Sequence, residues 1–481
     1  MIDAAPADTF ALEPQAPYTV VTPAGHPAVD RWQPPAHLRR VRPALVLLAG
    51  ETLELPPLRV GAESRLRLEF AAALPQISCD GLEIEVVGTR DGASQCLFRA
   101  LLRGDETLNP PRRVELSLPA GAPLRLAIRC LPGPAGDPRA DWLALIEATV
   151  GRADELDLIA ARAFRQLRID NERHHFAHAY EHPMYVARRA RVHRGIDSLI
   201  PSERSFSVPG AIENAFDYAL ARLCTRLQHK APDFEARLRA KVRAAPPLRI
   251  LSVGTGLGLT EAALLHRVDA AVDLTIVDVN DDLLRAAAAL LPAHVRVRPV
   301  VADVNDLALP DGGFDLAVCV SGVHHLVELG ALFRRVRDAL APQGELWLIG
   351  EQIGPSGNRL DEDAFAAADR IFSALPAEFR HNSATGQVDA HLEIRDCAEA
   401  TFEGILSHRI EDELARFFRP VAVSRRNCFL WRLVGPEYVG NYRIDDTRHR
   451  SLLDTLVEHE VSYYLAGGRP TELHGVYVPL R

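Results

Sequence analysis

Three glycines, two aspartates and a histidine pair are the residues of this chain whose types and spacing could do chemistry. Gly254-Thr255-Gly256-Leu257-Gly258 follows the apolar run Leu248–Val253 and leads into the helical Leu259-Thr260-Glu261-Ala262-Ala263. Glycine lets the backbone turn sharply and lets a ligand approach where a Cβ would collide. The spacing is G-x-G-x-G, whereas the dinucleotide pattern needs glycine where Leu259 stands. Asp278 ends the next apolar run, about 20 residues on, where a carboxylate accepts the hydroxyls of a ribose. Asp303 ends a third run, and His324-His325 follow a fourth. Histidine is the usual general base near neutral pH, with an acid limb expected near its ordinary value of about 6.5. His174, His178 and His182 recur at i, i+4, i+8. Such spacing can bind a metal for metal-assisted deprotonation of an acceptor, and no H-E-x-x-H or patterned carboxylate set stands beside it. A polar lid face is expected there, with Asn171, Tyr180 and Glu181 as acceptor contacts, and no metal ligands are assigned.

The elements that must hold these residues alternate. From about 245 onward, apolar strand-like runs and helical stretches succeed one another, as in a doubly wound α/β sheet whose ligands sit at the carboxyl ends of the strands. Residues 43–150 read differently. Short alternating runs, among them Thr52–Leu55, Ser64–Phe70, Leu82–Val87, Val114–Leu118 and Leu124–Cys130, are separated by Gly, Pro and Asp, which argues for a β-sandwich. Residues 151–244 read as a helical connector or lid. Residues 1–42, rich in Pro and Ala without periodicity, read as an arm or linker.

The C-terminal half resembles the class I S-adenosylmethionine-dependent methyltransferases. The glycine loop, Asp278, Asp303, Leu309-Pro310, Phe314-Asp315, Val323–Leu326 and the Pro342-Gln343-Gly344 turn before strand five carry the resemblance in order. It implies a Rossmann-like seven-stranded domain over 245–481 with S-adenosyl-L-methionine as cofactor. Gly254, Thr255, Gly256, Gly258, Asp278, Val279, Asp303, Val304 and Ser321 would hold that cofactor. His325 and His324 would be the candidate bases. Members of the family carry an acid two residues before the first loop glycine, and this chain has Ser252, with Glu261 or the 170–185 stretch as substitutes. Glu351-Gln-Ile-Gly-Pro resembles a turn in bacterial enzymes that methylate sugars, so Glu351 is either an acceptor-side residue or a cap. The Gly136-Asp-Pro-Arg-Ala-Asp-Trp142 stretch resembles the close of a galactose-binding-like jelly roll.

Composition narrows the classes. Hydrophobic residues at 47% and charged residues at 25% suit a globular protein, and a net charge of -9 gives no pull towards nucleic acid. Seven dispersed cysteines and no apolar leader read as a reduced, cytoplasmic chain without a membrane span. The expectation is O-methylation of a polar, sugar-containing metabolite or glycan in bacterial biosynthesis, with no nucleic-acid or membrane partner and a homodimer allowed. N-methylation of a small metabolite and a non-catalytic cofactor-binding protein with a carbohydrate-binding β-domain remain open. An NAD-dependent oxidoreductase is disfavoured by Leu259.

Overall fold

A computed structural model describes residues 7–33, 42–74, 81–103, 111–136, 141–179, 183–196, 203–207, 209–228, 232–244, 247–309, 313–393, 396–399 and 401–480. The chain forms two compact units, Met1–Gln166 and Leu167–Arg481.

The first unit is a sandwich of two six-stranded antiparallel sheets. Alternation explains its core. Leu66, Leu68 and Phe70 point inward from Ser64–Ala72, and meet Ile84 and Val86 of Leu82–Arg90 with Leu126 and Ile128 of Gly121–Pro132. Each such side chain contributes about 1.5–3 kcal/mol when fully buried. The arm expected over 1–42 is corrected here. Phe10–Ala11 and Trp32–Gln33 pair into one sheet and Thr19–Val21 into the other. These strands hold only two or three residues each, in a stretch rich in Pro and Ala, and carry no distinctive alternation.

The second unit is built on seven strands: β1 Leu248–Val253, β2 Val272–Asp278, β3 Val295–Val301, β4 Phe314–Val320, β5 Leu340–Gln352, β6 Phe418–Arg426 and β7 Glu472–Pro479. Their order is β3-β2-β1-β4-β5-β7-β6, with β7 antiparallel to both neighbours. The strand order reverses between β1 and β4, and that crevice is where such sheets bind ligands. β1 is buried along almost its whole length because helices cover both faces. Helix Leu329–Ala339 shows how: its buried residues 329, 332, 333, 336 and 339 fall on one stripe.

The segment 151–244 is not one connector. Leu156–Arg162 lies in the first unit, whereas Ala215, Ala219 and Leu223 belong to the second unit's core with Phe372, Phe429 and Leu453. Phe234, Leu238 and Val242 pack with Ile250 and Trp347 beneath the sheet. These helices are apolar on a face that needs the sheet for burial. Among the described residues no helix is long and apolar enough to cross a membrane.

A buried charge group staples β6 to β7. Arg426 donates to Glu472 Oε1 at 2.7 Å and His474 Nε2 reaches the same oxygen at 2.8 Å. Burial alone would raise the Glu472 carboxyl, but Arg426 and His474 outweigh it and hold it well below the usual range. A lowered folded value stabilises above the unfolded value of about 4.3, and that contribution is lost as pH falls through the folded one. Glu472→Gln leaves Arg426 buried without its counter-charge, so unfolding in urea at pH 7 should show a loss of about 3–5 kcal/mol. The deficit should shrink in acid.

Candidate active site

At the carboxyl ends of β1 to β4 lies a cavity of about 390 Å³. Gly254, Thr255, Gly256, Gly258, Asp278, Val279, Asp303, Val304 and Ser321 all line it, and so does His325. The loop after β1 is held open by its own hydrogen bonds. Asp278 Oδ2 accepts from the Gly256 amide at 2.8 Å and its Oδ1 from Asn280 at 2.9 Å. Asp278 thus shapes the glycine loop and keeps further lone pairs for a ligand. Burial pushes its carboxyl up, although these two amides oppose the rise. Gly256 has φ +53° and a Cβ there would meet no protein atom within 4 Å, so the space it leaves belongs to the cavity. Gly322 serves another need: a Cβ on it would lie 3.0 Å from the Gly254 carbonyl, so the ends of β1 and β4 approach backbone to backbone.

Asp303 Oδ1 accepts from both the amide and the side chain of Asn305, at 2.8 and 2.9 Å. Asn305 Oδ1 in turn receives Val327 and Glu328, which fixes the loop after β4. Ser321 takes φ +45°, a conformation rare outside glycine that is tolerated where the surroundings enforce it. Its hydroxyl donates to Gly350 O at 2.7 Å.

Ser252, the departure noted in the sequence, donates to Glu261 Oε1 at 2.6 Å and receives the Thr255 hydroxyl at 2.9 Å. A carboxylate on the following helix, Glu261, therefore reaches back to the strand end, and it lines the cavity.

The histidines occupy a single 3-10 turn, Val323–His325, and the helix after them begins only at Leu329. His325 therefore lies on that turn, ahead of the helix. Its Nδ1 meets Glu172 Oε1 at 3.1 Å and its Nε2 meets Glu403 Oε2 at 3.1 Å. Glu172 also accepts the Phe402 amide at 2.8 Å. Burial disfavours the charged ring, but Glu403 and Glu172 more than compensate and hold His325 well above its ordinary range. Glu403 is correspondingly held well below the usual carboxylate range despite its own burial. An acid limb near 6.5 is thereby displaced upward.

His324 is corrected more strongly. It is buried, is absent from the cavity lining, and has both ring nitrogens engaged by Glu351 at 3.0 Å and Glu403 at 3.3 Å. His325 shares that engagement of both nitrogens, so the absence of His324 from the cavity wall is what separates it from an acceptor-facing base. Glu351 is fully buried and accepts the amides of Gly322, Val323 and His324 at 2.8, 3.1 and 3.3 Å. It positions the turn and does not face an acceptor.

Sequence reading missed Glu172 as a partner of His325, and it missed Glu403 and Gly322. Glu172 opened the histidine-rich stretch but carried no spacing relation to His325. Of the proposed lid face, Tyr180, Glu181, His182 and the side chain of His178 lie outside the described residues.

Residues 250–344 match the family model described as "Methyltransferase domain". This stretch is a methyltransferase domain. An uncharacterized methyltransferase of Mycobacterium tuberculosis (strain ATCC 25618 / H37Rv) is 31% identical over 100 residues, covering 21% of this chain and 49% of its own. A malonyl-acyl-carrier-protein O-methyltransferase of Geobacter sulfurreducens is 37% identical over 98 residues, 20% of this chain and 36% of its own. The chain thus spans about half the length, or less, of these relatives. Among solved structures, an S-adenosylmethionine dependent methyltransferase from Mesorhizobium loti is similar at 20% identity, covering 49% of this chain and 94% of that one with a TM-score of 0.27. The methyltransferase domain contains every cofactor-loop residue named above, together with His324 and His325, whereas Glu172, Glu351 and Glu403 fall outside it.

Proposed function

We propose that the chain transfers a methyl group from S-adenosyl-L-methionine to a hydroxyl of a polar, sugar-containing acceptor. One observation carries the reading: nine residues from four strand ends, chosen by motif order, surround one cavity inside a methyltransferase domain. The residues fit the cofactor. Asp278 offers lone pairs for ribose hydroxyls, Gly256 leaves room for close approach, and Glu261 supplies the carboxylate for the amino group. The bound cofactor supplies an electrophilic methyl group on a sulfonium.

This chain's own residues must align the acceptor and exclude water, which in general is worth about 7–11 kcal/mol of barrier. His325 Nε2 at the cavity wall takes the acceptor proton once free of its own, while Glu172 on Nδ1 fixes the ring and stabilises the charge. The glycan preference draws on two sequence resemblances, that of the Glu351-Gln-Ile-Gly-Pro turn to sugar-methylating enzymes and that of the β unit to a galactose-binding-like jelly roll. The enzyme is placed in the cytoplasm of a bacterium, where its thiols stay reduced.

Incubation with methyl-labelled cofactor and two acceptor panels, one of neutral glycans and one of small amines, tests the reading. Label should enter glycans as base-stable methyl ethers. Label confined to amines would replace the hydroxyl reading, and label in neither panel would leave the glycan proposal without support.

A further inference from the structure

The turn after β4 carries an arrangement that the methyl-transfer reading does not use in full. Two imidazoles lie side by side, ring centroids 4.5 Å apart, and each has a carboxylate behind it. His324 Nδ1 faces Glu351 at 3.0 Å and His325 Nδ1 faces Glu172 at 3.1 Å. A carboxylate in the ionised form only accepts, so each Nδ1 must carry the proton. The two Nε2 atoms then converge on one further carboxylate, Glu403, at 3.3 and 3.1 Å. Ligand atoms of His324, His325 and Glu403 all lie within 4.8 Å of one another.

Two histidines with Nδ1 pinned by buried carboxylates and Nε2 turned to a common point are what metal-ligating imidazoles show, because the outer carboxylate fixes the tautomer and raises the ring's basicity. The geometry points to a divalent metal site formed by His324 Nε2, His325 Nε2 and Glu403. Two nitrogens and one carboxylate favour a first-row transition ion such as zinc, cobalt or manganese over magnesium or calcium, which prefer all-oxygen sets. Three protein ligands leave a coordination position open, as in catalytic zinc sites. Charge is conserved, since one divalent cation carries what two protons on the Nε2 atoms would otherwise carry.

His325 and Glu172 line the cofactor cavity, so the site borders the space given to the acceptor. The use of the ion rests on the methyl-transfer reading and makes His325 Nε2 a ligand in place of the base: a metal-bound hydroxyl would lose its proton to solvent or buffer near neutral pH and present an alkoxide to the methyl group. The existence of the site does not rest on that reading.

Titration of the full chain with cobalt(II) alone, in the absence of cofactor, tests it. One equivalent should bind with visible ligand-field bands of nitrogen–oxygen coordination. Glu403→Gln should weaken binding at least about 100-fold, beyond the 10–100-fold typical of losing an outer partner, which is the loss expected for Glu351→Gln. His408→Gln, outside the cluster, should change nothing. Should a variant fail to fold, nitrogen-15 spectra of the unaltered chain with zinc answer the same question. Two histidine Nε2 resonances must shift, with their Nδ1 atoms remaining protonated. Absence of stoichiometric binding, binding untouched by Glu403→Gln, or shifts at other histidines would overturn the site. A chain that binds cobalt but not S-adenosylhomocysteine would retain the site and refute only the methyl-transfer reading.

Discussion

Gly256→Val is expected to reduce S-adenosylhomocysteine affinity at least about 100-fold, or roughly 2.7 kcal/mol, by isothermal calorimetry. Two effects add. Gly256 lines the cavity and a Cβ on it would meet nothing within 4 Å, so an isopropyl group there is expected to take up space a ligand would use. A β-branched residue is also an outlier at φ +53°, which costs about 1–3 kcal/mol where the loop keeps its shape. The fold should survive, because a Cβ at 256 meets nothing within 4 Å; far-ultraviolet circular dichroism checks this. The unaltered chain should show no measurable NAD binding, since Leu259 occupies the third dinucleotide glycine position. Normal S-adenosylhomocysteine binding by the variant would mean that the ligand lies elsewhere.

His325→Ala is expected to lower turnover at least about 100-fold while leaving S-adenosylhomocysteine affinity nearly unchanged. The ring is needed with Nε2 unprotonated whether it takes the acceptor proton or holds an ion. Glu403 and Glu172 favour its charged form, so the rate should rise with pH through a value above the ordinary 6.5. That limb should vanish in the variant. A loss of only a few-fold, with the limb intact, would take His325 out of the reaction.

The gathering of the glycine loop and Asp278 at one strand-end cavity was legible in the chain because it is local. A strand, a glycine turn and a helix fix where Gly254 to Gly258 go, and Asp278 follows at the end of the next strand. Tertiary proximity was not legible. Glu172 precedes the first strand of the sheet and Glu403 lies between β5 and β6, and no periodicity links either to His325. The partnership of Ser252 and Glu261 lies between these cases: nine residues separate them, and only the helix after the loop brings the carboxylate back to the strand. In the first unit, Ser64–Ala72, Leu82–Arg90 and Gly121–Pro132 announced themselves by alternation, whereas the short strands before residue 34 did not.

The segment that supplies Glu403 has a consequence for engineering. His324, His325 and Glu351 are anchored on the ends of β4 and β5, but Glu403 arrives on the chain between β5 and β6, in the same stretch as Phe402 of the cavity wall. Grafting that stretch from a relative would exchange a wall of the pocket and the third carboxylate in one cut. A library confined to residues 396–406 therefore samples substrate choice and the chemistry of the histidine pair together. Selections meant to change only the first should hold Glu403 constant.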